Sequence, residues 1–293
     1  MSTAVPESTA RTTDHLMILA AALLFSTGGA AVKLCSLNAW QVASLRSGIA
    51  AVALLLFLPQ ARRGWGWRTW LVSVAYAATM ILYVSANKLT TAANAIFLQS
   101  TAPLYILLLG PILLSERVER RQIPFMVVLA AGLSLFFVGV QPVSATAPDP
   151  FRGNLLGALA GLSWGLVIMG LRWLGRDREA GAPVASAAAA VACGNVVACA
   201  IALPQALPIE NVNIADWVTV AYLGTIQIAL AYAFLVRGVR RVGALEVSLL
   251  LLLEPVLNPV WAWIVHGERP SAWALLGGVV IVGATAVNTW KNS

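Results

Sequence analysis

The chain has 293 residues, 59% of them hydrophobic and only 11% charged, with a mean hydropathy of +0.81. Soluble domains are about half apolar and about a quarter charged, so this composition excludes an ordinary soluble domain. The formal net charge of +7 does not imply a nucleic-acid partner, because the basic residues follow the apolar runs in a regular way.

A run of about 20 apolar residues crosses a bilayer as a helix, since lipid offers backbone groups no partner and a helix satisfies its own. Residues 1–14 are polar and form a tail. Ten apolar runs follow, near 16–34, 39–58, 68–87, 92–114, 123–140, 153–174, 183–203, 214–236, 244–266 and 271–290, with a short tail at 291–293. The first run lacks a small-residue cleavage site and a second span follows at once, which reads as an uncleaved helix and not a signal peptide. The expected fold class is an all-α integral membrane protein of ten transmembrane helices.

With the N-terminus on the cytoplasmic side, the inside segments hold Arg11, then Arg62, Arg63 and Arg68, then Arg117, Arg120 and Arg121. They continue with Arg172, Arg176 and Arg178, then Arg237, Arg240 and Arg241, and finally Lys291, giving 14 of the 19 basic residues. The outside segments hold Lys33, Lys88, Arg152 and Arg269, and Arg46 lies within a span. The positive-inside rule then puts both termini in the cytoplasm. Cys35, Cys193 and Cys199 read as small packing residues. His15 and His266 lie at span ends, and no Cys/His spacing suits a metal. No metal, no cofactor and no nucleic acid are expected, and the partners are a small-molecule substrate and the lipid bilayer.

Similarity at fixed offset divides the chain. Pro103 and Pro255 are each followed thirteen residues later by Glu-Arg, at 116–117 and 268–269. Gln41-Val42-Ala43-Ser44 opens span two as Pro183-Val184-Ala185-Ser186 opens span seven, and Phe25 precedes Lys33 by the eight residues that separate Trp164 from Arg172. Residues 15–140 and 153–290 therefore read as two five-helix copies joined by the polar, Pro-rich linker 141–152. Five spans is an odd number, so the second copy enters the membrane from the opposite side. Inverted repeats place a site at the midplane and expose it to each side in turn as one repeat rocks against the other.

Trp164-Gly165 with Arg172, the spacing from Pro255 to Gly267-Glu268-Arg269, and Arg46 early in span two resemble the EamA-type members of the drug/metabolite transporter superfamily. The resemblance covers nearly the whole chain. It implies a metabolite transporter of the bacterial inner membrane, often an exporter, and among described members it is most like the aromatic amino-acid exporters. The first copy departs from the pattern, with Phe25-Ser26 in place of Trp-Gly and Ser115 in place of a glycine before Glu116.

The candidate functional residues cluster at mid-span. Pro103 and Pro255 sit at the centres of spans four and nine, where a proline removes a hydrogen bond and kinks the helix. They read either as a pivot or as static bends. On span nine, Glu246, Leu250, Glu254, Asn258 and Trp261 form one stripe that should face protein. Glu254 reads as a proton-coupling group, as a partner for a substrate ammonium, or as a structural carboxyl bonded to backbone freed by the bend. Arg46 can hold a substrate carboxylate, snorkel to the surface, or pair with an acid. The resemblance implies a structural role for both, because such residues recur there whatever the substrate.

Span three carries Ser73, Tyr76, Met80, Tyr83 and Asn87 on one face. Thr101, Trp164, Gln227 and Ser26 offer similar groups near mid-depth. Tyr76, Met80, Tyr83, Thr101, Trp164 and Gln227 thus outline a mostly apolar, aromatic substrate cavity with a few neutral hydrogen-bonding groups, although any single aromatic also reads as packing. Trp40, Trp65, Trp67, Trp70, Trp217, Trp273 and Trp290 fall near span ends, as interfacial tryptophans do. Glu116 and Glu268 are expected to favour the starts of spans five and ten. Gly132, Gly139, Gly277 and Gly283 are expected at close helix contacts.

The favoured function is a secondary transporter that exports amino acids, aromatic ones above others, by alternating access. The alternative is a proton-coupled multidrug or cation exporter that uses Glu254. An intramembrane enzyme lacks support: there is no HExxH, no GxSxG, no paired intramembrane Asp and no phosphate loop.

Overall fold

A computed structural model describes residues 7–115, 119–138, 142–176, 187–210, 212–239, 242 and 244–291. Glu116, Arg117, Gly139, Arg178, the segment Pro183–Ser186, Arg240 and Arg241, all used above, lie outside the described residues.

The described residues form helices and turns; the sole β-type pairing among them is an isolated bridge between Ser144 and Ala147 in the linker. Among the described residues, nine stretches are long and apolar enough to cross a membrane: Thr12–Leu34, Ala39–Phe57, Trp67–Leu89, Ala92–Leu113, Pro150–Gly175, Ala187–Ala206, Ile214–Gly238, Glu246–His266 and Ala272–Lys291. The fifth expected run is a shorter apolar helix, Ile123–Val138. Large apolar side chains such as Ile112, Ile264 and Val279 point outward, as lipid-facing positions do.

Several spans are not continuous. The first is α1 (Glu7–Ser26) and α2 (Gly28–Leu34), broken at Thr27. Then come α3 (Ala39–Phe57) and α4 (Trp67–Leu89). The fourth span is α5 (Ala92–Gln99) and α6 (Ala102–Leu113), broken at Ser100 and Thr101, and it is followed by α7 (Ile123–Val138). In the second half, α8 (Pro150–Arg176) and α9 (Ala187–Ala206) are followed by α10 (Ile214–Tyr222). A π-helical stretch, Leu223–Leu230, then leads into α11 (Ala231–Gly238). The ninth span is α12 (Ala244–Leu251) and α13 (Leu253–His266), broken at Leu252, and α14 (Ala272–Lys291) closes the chain. The breaks in the fourth and ninth spans fall just before Pro103 and Pro255. A proline leaves the carbonyl four residues earlier without its helical donor and crowds the preceding turn. The distortion therefore appears N-terminal to the proline, at 100–101 and at 252. Proline alone does not suffice, since Pro111, Pro204 and Pro259 sit inside unbroken helices.

Close packing follows from glycine at every fourth residue of α8. At Gly153, Gly157, Gly161 and Gly165 a Cβ would meet α5, α6 or the turn before them. At Gly161 it would lie 2.6 Å from the Leu98 carbonyl oxygen. Gly132 and Gly277 meet as expected, a Cβ on Gly277 falling 2.8 Å from the Gly132 oxygen. Gly283 corrects the expectation: nothing lies within 4 Å of where its Cβ would be.

Two polar layers mark the ends of the bundle. One end carries Arg62, Arg63, Arg68, Arg172 and Arg237, with the Arg68 guanidinium 5.4 Å and 4.8 Å from the Trp67 and Trp173 rings. At that end His15 Nε2 lies 3.0 Å from Glu246 Oε2. The opposite end is knit by buried groups. Lys33 Nζ meets Glu268 Oε1 at 3.0 Å, with side-chain exposures of 4% and 3%. Lys33 also donates to the Thr90 and Thr146 carbonyls. Glu268 Oε2 accepts the Ala92 amide at 2.8 Å, so this carboxylate caps α5. That corrects its expected place at the start of span ten: the turn at Gly267, with φ of 66°, carries it toward the first half of the chain. Asn154 Oδ1 accepts from Thr90 and Asn94, and Asn154 Nδ2 donates to the Phe136 carbonyl.

Candidate functional site

The four interrupted spans surround a cavity of about 420 Å³ at mid-depth. It reaches Leu235, Ser248 and Thr285 toward the arginine-rich end. Of the sequence-derived candidates, Arg46, Tyr76, Met80, Tyr83, Trp164 and Gln227 line it, as do Pro103, Glu254 and Pro255.

Thr101 does not line the cavity. It is fully buried, and its hydroxyl donates to the Leu98 carbonyl at 2.6 Å. The break before Pro103 turns Thr101 against Gly161 of α8 and leaves its neighbours Ser100 and Ala102 on the cavity wall. The span-three stripe contributes only its middle. Ser73 donates to the Ala190 carbonyl and Asn87 to the Tyr83 carbonyl, which takes both ends of the stripe into helix packing.

The two phenols on α4 are held from the second half of the chain. Asn195 Nδ2 donates to Tyr76 Oη at 3.3 Å, and Asn258 Nδ2 donates to Tyr83 Oη at 3.1 Å. Both tyrosine oxygens therefore accept a bond; the Tyr76 hydroxyl also bonds that of Tyr232, and Tyr83 keeps its own hydrogen to donate. Trp261 Nε1 donates to Ser26 Oγ at 2.9 Å, so the span-nine stripe faces protein at Glu254, Asn258 and Trp261, while Glu246 at its other end is 40% exposed. Gln227 Nε2 donates to the Phe25 carbonyl at 3.3 Å, and its Oε1 is buried without a partner.

Sequence reasoning missed Tyr232 and Gln99 on this wall. The Tyr232 ring stands 5.1 Å from Phe25, edge to face, and 6.3 Å from Tyr76. In a regular α-helix, Gln227 and Tyr232 would point to different faces. The π-helical stretch bonds residue i to i+5, which stacks residues five apart and puts both on the cavity. Gln99 has its Oε1 buried without a partner at the end of α5. Its signal was present in the sequence as a lone amide just before the Ser-Thr-Ala-Pro break.

The basic and acidic groups of the wall are Arg46 and Glu254. No ion pair joins them among the described residues. A cavity built this way offers aromatic faces, a phenolic donor, amide acceptors, one basic group and one acidic group. No group of three or more metal-ligating side chains is found among the described residues.

The model of the EamA-like transporter family matches this chain twice, over residues 13–138 and 151–290. The chain belongs to the EamA-like transporter family. It is thus a multi-pass membrane protein of a transporter family in the drug/metabolite transporter superfamily. It is 35% identical over 81 residues to the uncharacterized transporter YdfC of Bacillus subtilis, covering 28% of this chain and 26% of that one. It is 22% identical over 217 residues to the uncharacterized transporter YyaM of the same organism, covering 69% and 65%. An uncharacterized transporter of Archaeoglobus fulgidus is 25% identical over 215 residues, 73% of each chain. The matched stretches thus span less than two thirds of the two Bacillus relatives. A solved structure described as "Crystal structure of protein" has the same fold, with a TM-score of 0.60, 21% identity, and coverage of 96% of this chain and 97% of that one.

Proposed function

We propose that this chain is a secondary transporter that exports amino acids, aromatic ones above others, and related small metabolites across the bacterial inner membrane. It works by alternating access about the midplane cavity. Ten transmembrane helices form two inverted five-helix repeats, 15–140 and 153–290, with both termini in the cytoplasm. The two separate family matches, 13–138 and 151–290, support the repeat. The concentration of arginines at one end supports the orientation.

The observation that carries the substrate reading is the aromatic wall. Tyr76, Tyr83, Trp164, Tyr232 and Phe25 enclose about 420 Å³, within the ~300–1,000 Å³ typical of small-ligand sites. Tyr76, Met80, Tyr83, Trp164 and Gln227 contact substrate in this account, and Thr101 does not. Pro103 and Pro255 provide the pivot, because helices already interrupted at mid-depth bend there with the least loss of hydrogen bonding. The test is efflux from cells loaded with labelled phenylalanine, tryptophan or threonine. Expression of the chain should speed loss of the aromatic amino acids above the others; unchanged efflux of every amino acid would overturn the reading.

A second reading is favoured by one observation. Glu254 lies on the cavity wall with no ion pair among the described residues, as a proton-coupled exporter of organic cations would require. In that case a lipophilic cation is carried only with a pH gradient, and Glu254→Gln abolishes its transport.

A further inference from the structure

Arg46 is the feature that the fold does not otherwise account for. The sequence leaves three fates for it: snorkelling, pairing with an acid, or holding a substrate carboxylate. It sits two turns inside α3. Its residue is only 2% exposed, which removes snorkelling. No carboxylate is in ion-pair reach among the described residues, and Glu254, on the same cavity, makes none with it. Its single hydrogen-bond contact is Nη2 to the thioether of Met80 at 3.1 Å, a weak acceptor. Nε and Nη1 are buried with no partner. A buried cation left in this condition carries its desolvation penalty unrelieved. By contrast Lys33, whose side chain is 4% exposed, has Glu268 and two carbonyls.

We propose that Arg46 holds a carboxylate of the transported molecule. The planar guanidinium can give a carboxylate two parallel N–H···O bonds along an edge that Nη2 shares with Nε or with Nη1, both without partners, since Nη2 carries a second hydrogen besides the one directed at Met80. Tyr83, whose oxygen already accepts from Asn258, stands on the same wall with its O–H group left to donate. The cavity then takes molecules that join an apolar or aromatic body to a carboxylate, and it rejects decarboxylated amines of the same body. This rests on the reading of the cavity as the transport site, and it names the group that the site recognises.

The experiment measures thermal stabilisation of the purified protein by phenylalanine, by 3-phenylpropanoate (carboxylate only) and by phenethylamine (ammonium only), in wild type, Arg46→Gln and Arg46→Lys. Wild type should be stabilised by the two carboxylates and not by the amine. Arg46→Gln should need at least tenfold more of either carboxylate for the same shift, and Arg46→Lys should fall between. Equal stabilisation of wild type by phenethylamine would overturn the proposal without recourse to any variant. So would an Arg46→Gln protein that keeps wild-type response to phenylalanine; that result leaves the amino-acid reading standing. Stabilisation by 3-phenylpropanoate with none by phenylalanine would sink the amino-acid reading and leave the carboxylate site in place.

Discussion

Glu268→Ala removes two interactions at once. Glu268 Oε1 is 3.0 Å from Lys33 Nζ, and Oε2 takes the Ala92 amide at 2.8 Å. Breaking a buried ion pair from one side costs about 3–5 kcal/mol, because the remaining charge stays desolvated. Losing a helix cap adds about 1 kcal/mol. The carbonyls of Thr90 and Thr146 remain near Lys33 and offset part of this, so the expected loss is about 3 kcal/mol. Glu268→Gln should cost less, since its amide oxygen still accepts from Ala92. The double variant Lys33→Met/Glu268→Gln removes both charges and should be more stable than Glu268→Ala, because an apolar substitute for a buried pair is often neutral. The assay is denaturant unfolding in detergent, followed by tryptophan fluorescence. High salt should leave the loss unchanged, in contrast to the Asp149–Arg152 pair, whose Arg152 is 79% exposed. A Glu268→Ala protein within about 0.5 kcal/mol of wild type would refute the reasoning, as would additive losses in the double variant.

Gly161→Ala should destabilise by about 1–3 kcal/mol, as overpacking does, since its Cβ would fall 2.6 Å from the backbone oxygen of Leu98. Gly283→Ala meets open space and should gain up to about 1 kcal/mol from helix propensity; the same unfolding assay separates the two. Pro103→Ala and Pro255→Ala should lower the maximal transport rate several-fold while leaving the half-saturating concentration near its wild-type value. Unchanged rates in both would count against the pivot.

Much of the architecture is legible in the chain because a bilayer imposes one rule, about twenty apolar residues per crossing, and the runs obey it. The stripe from Glu254 to Trp261 faces protein because its period is that of a helix. What escaped detection lies where the helix is not regular. Tyr232 was missed because a π-helical stretch, invisible in residue spacing, rotates it onto the cavity. Thr101 was misplaced for the complementary reason, since the turn before Pro103 rotates it away. Glu268 was assigned to its neighbour in sequence, whereas the loop at Gly267 delivers it to α5 across the bundle. The glycine ladder of α8 is a four-residue period in plain view, and it gained meaning only beside α5. Arg46 was ambiguous because sequence shows a charge in a span but not whether an acid from another span reaches it.

The central claim is tested most directly by flux of labelled phenylalanine into proteoliposomes of the purified protein, with and without a pH gradient, in wild type and Glu254→Gln. The account predicts saturable flux that does not need the gradient and largely survives in Glu254→Gln. Absence of phenylalanine flux, with gradient-dependent transport of a lipophilic cation lost in Glu254→Gln, would contradict it and put Glu254 at the centre of the mechanism.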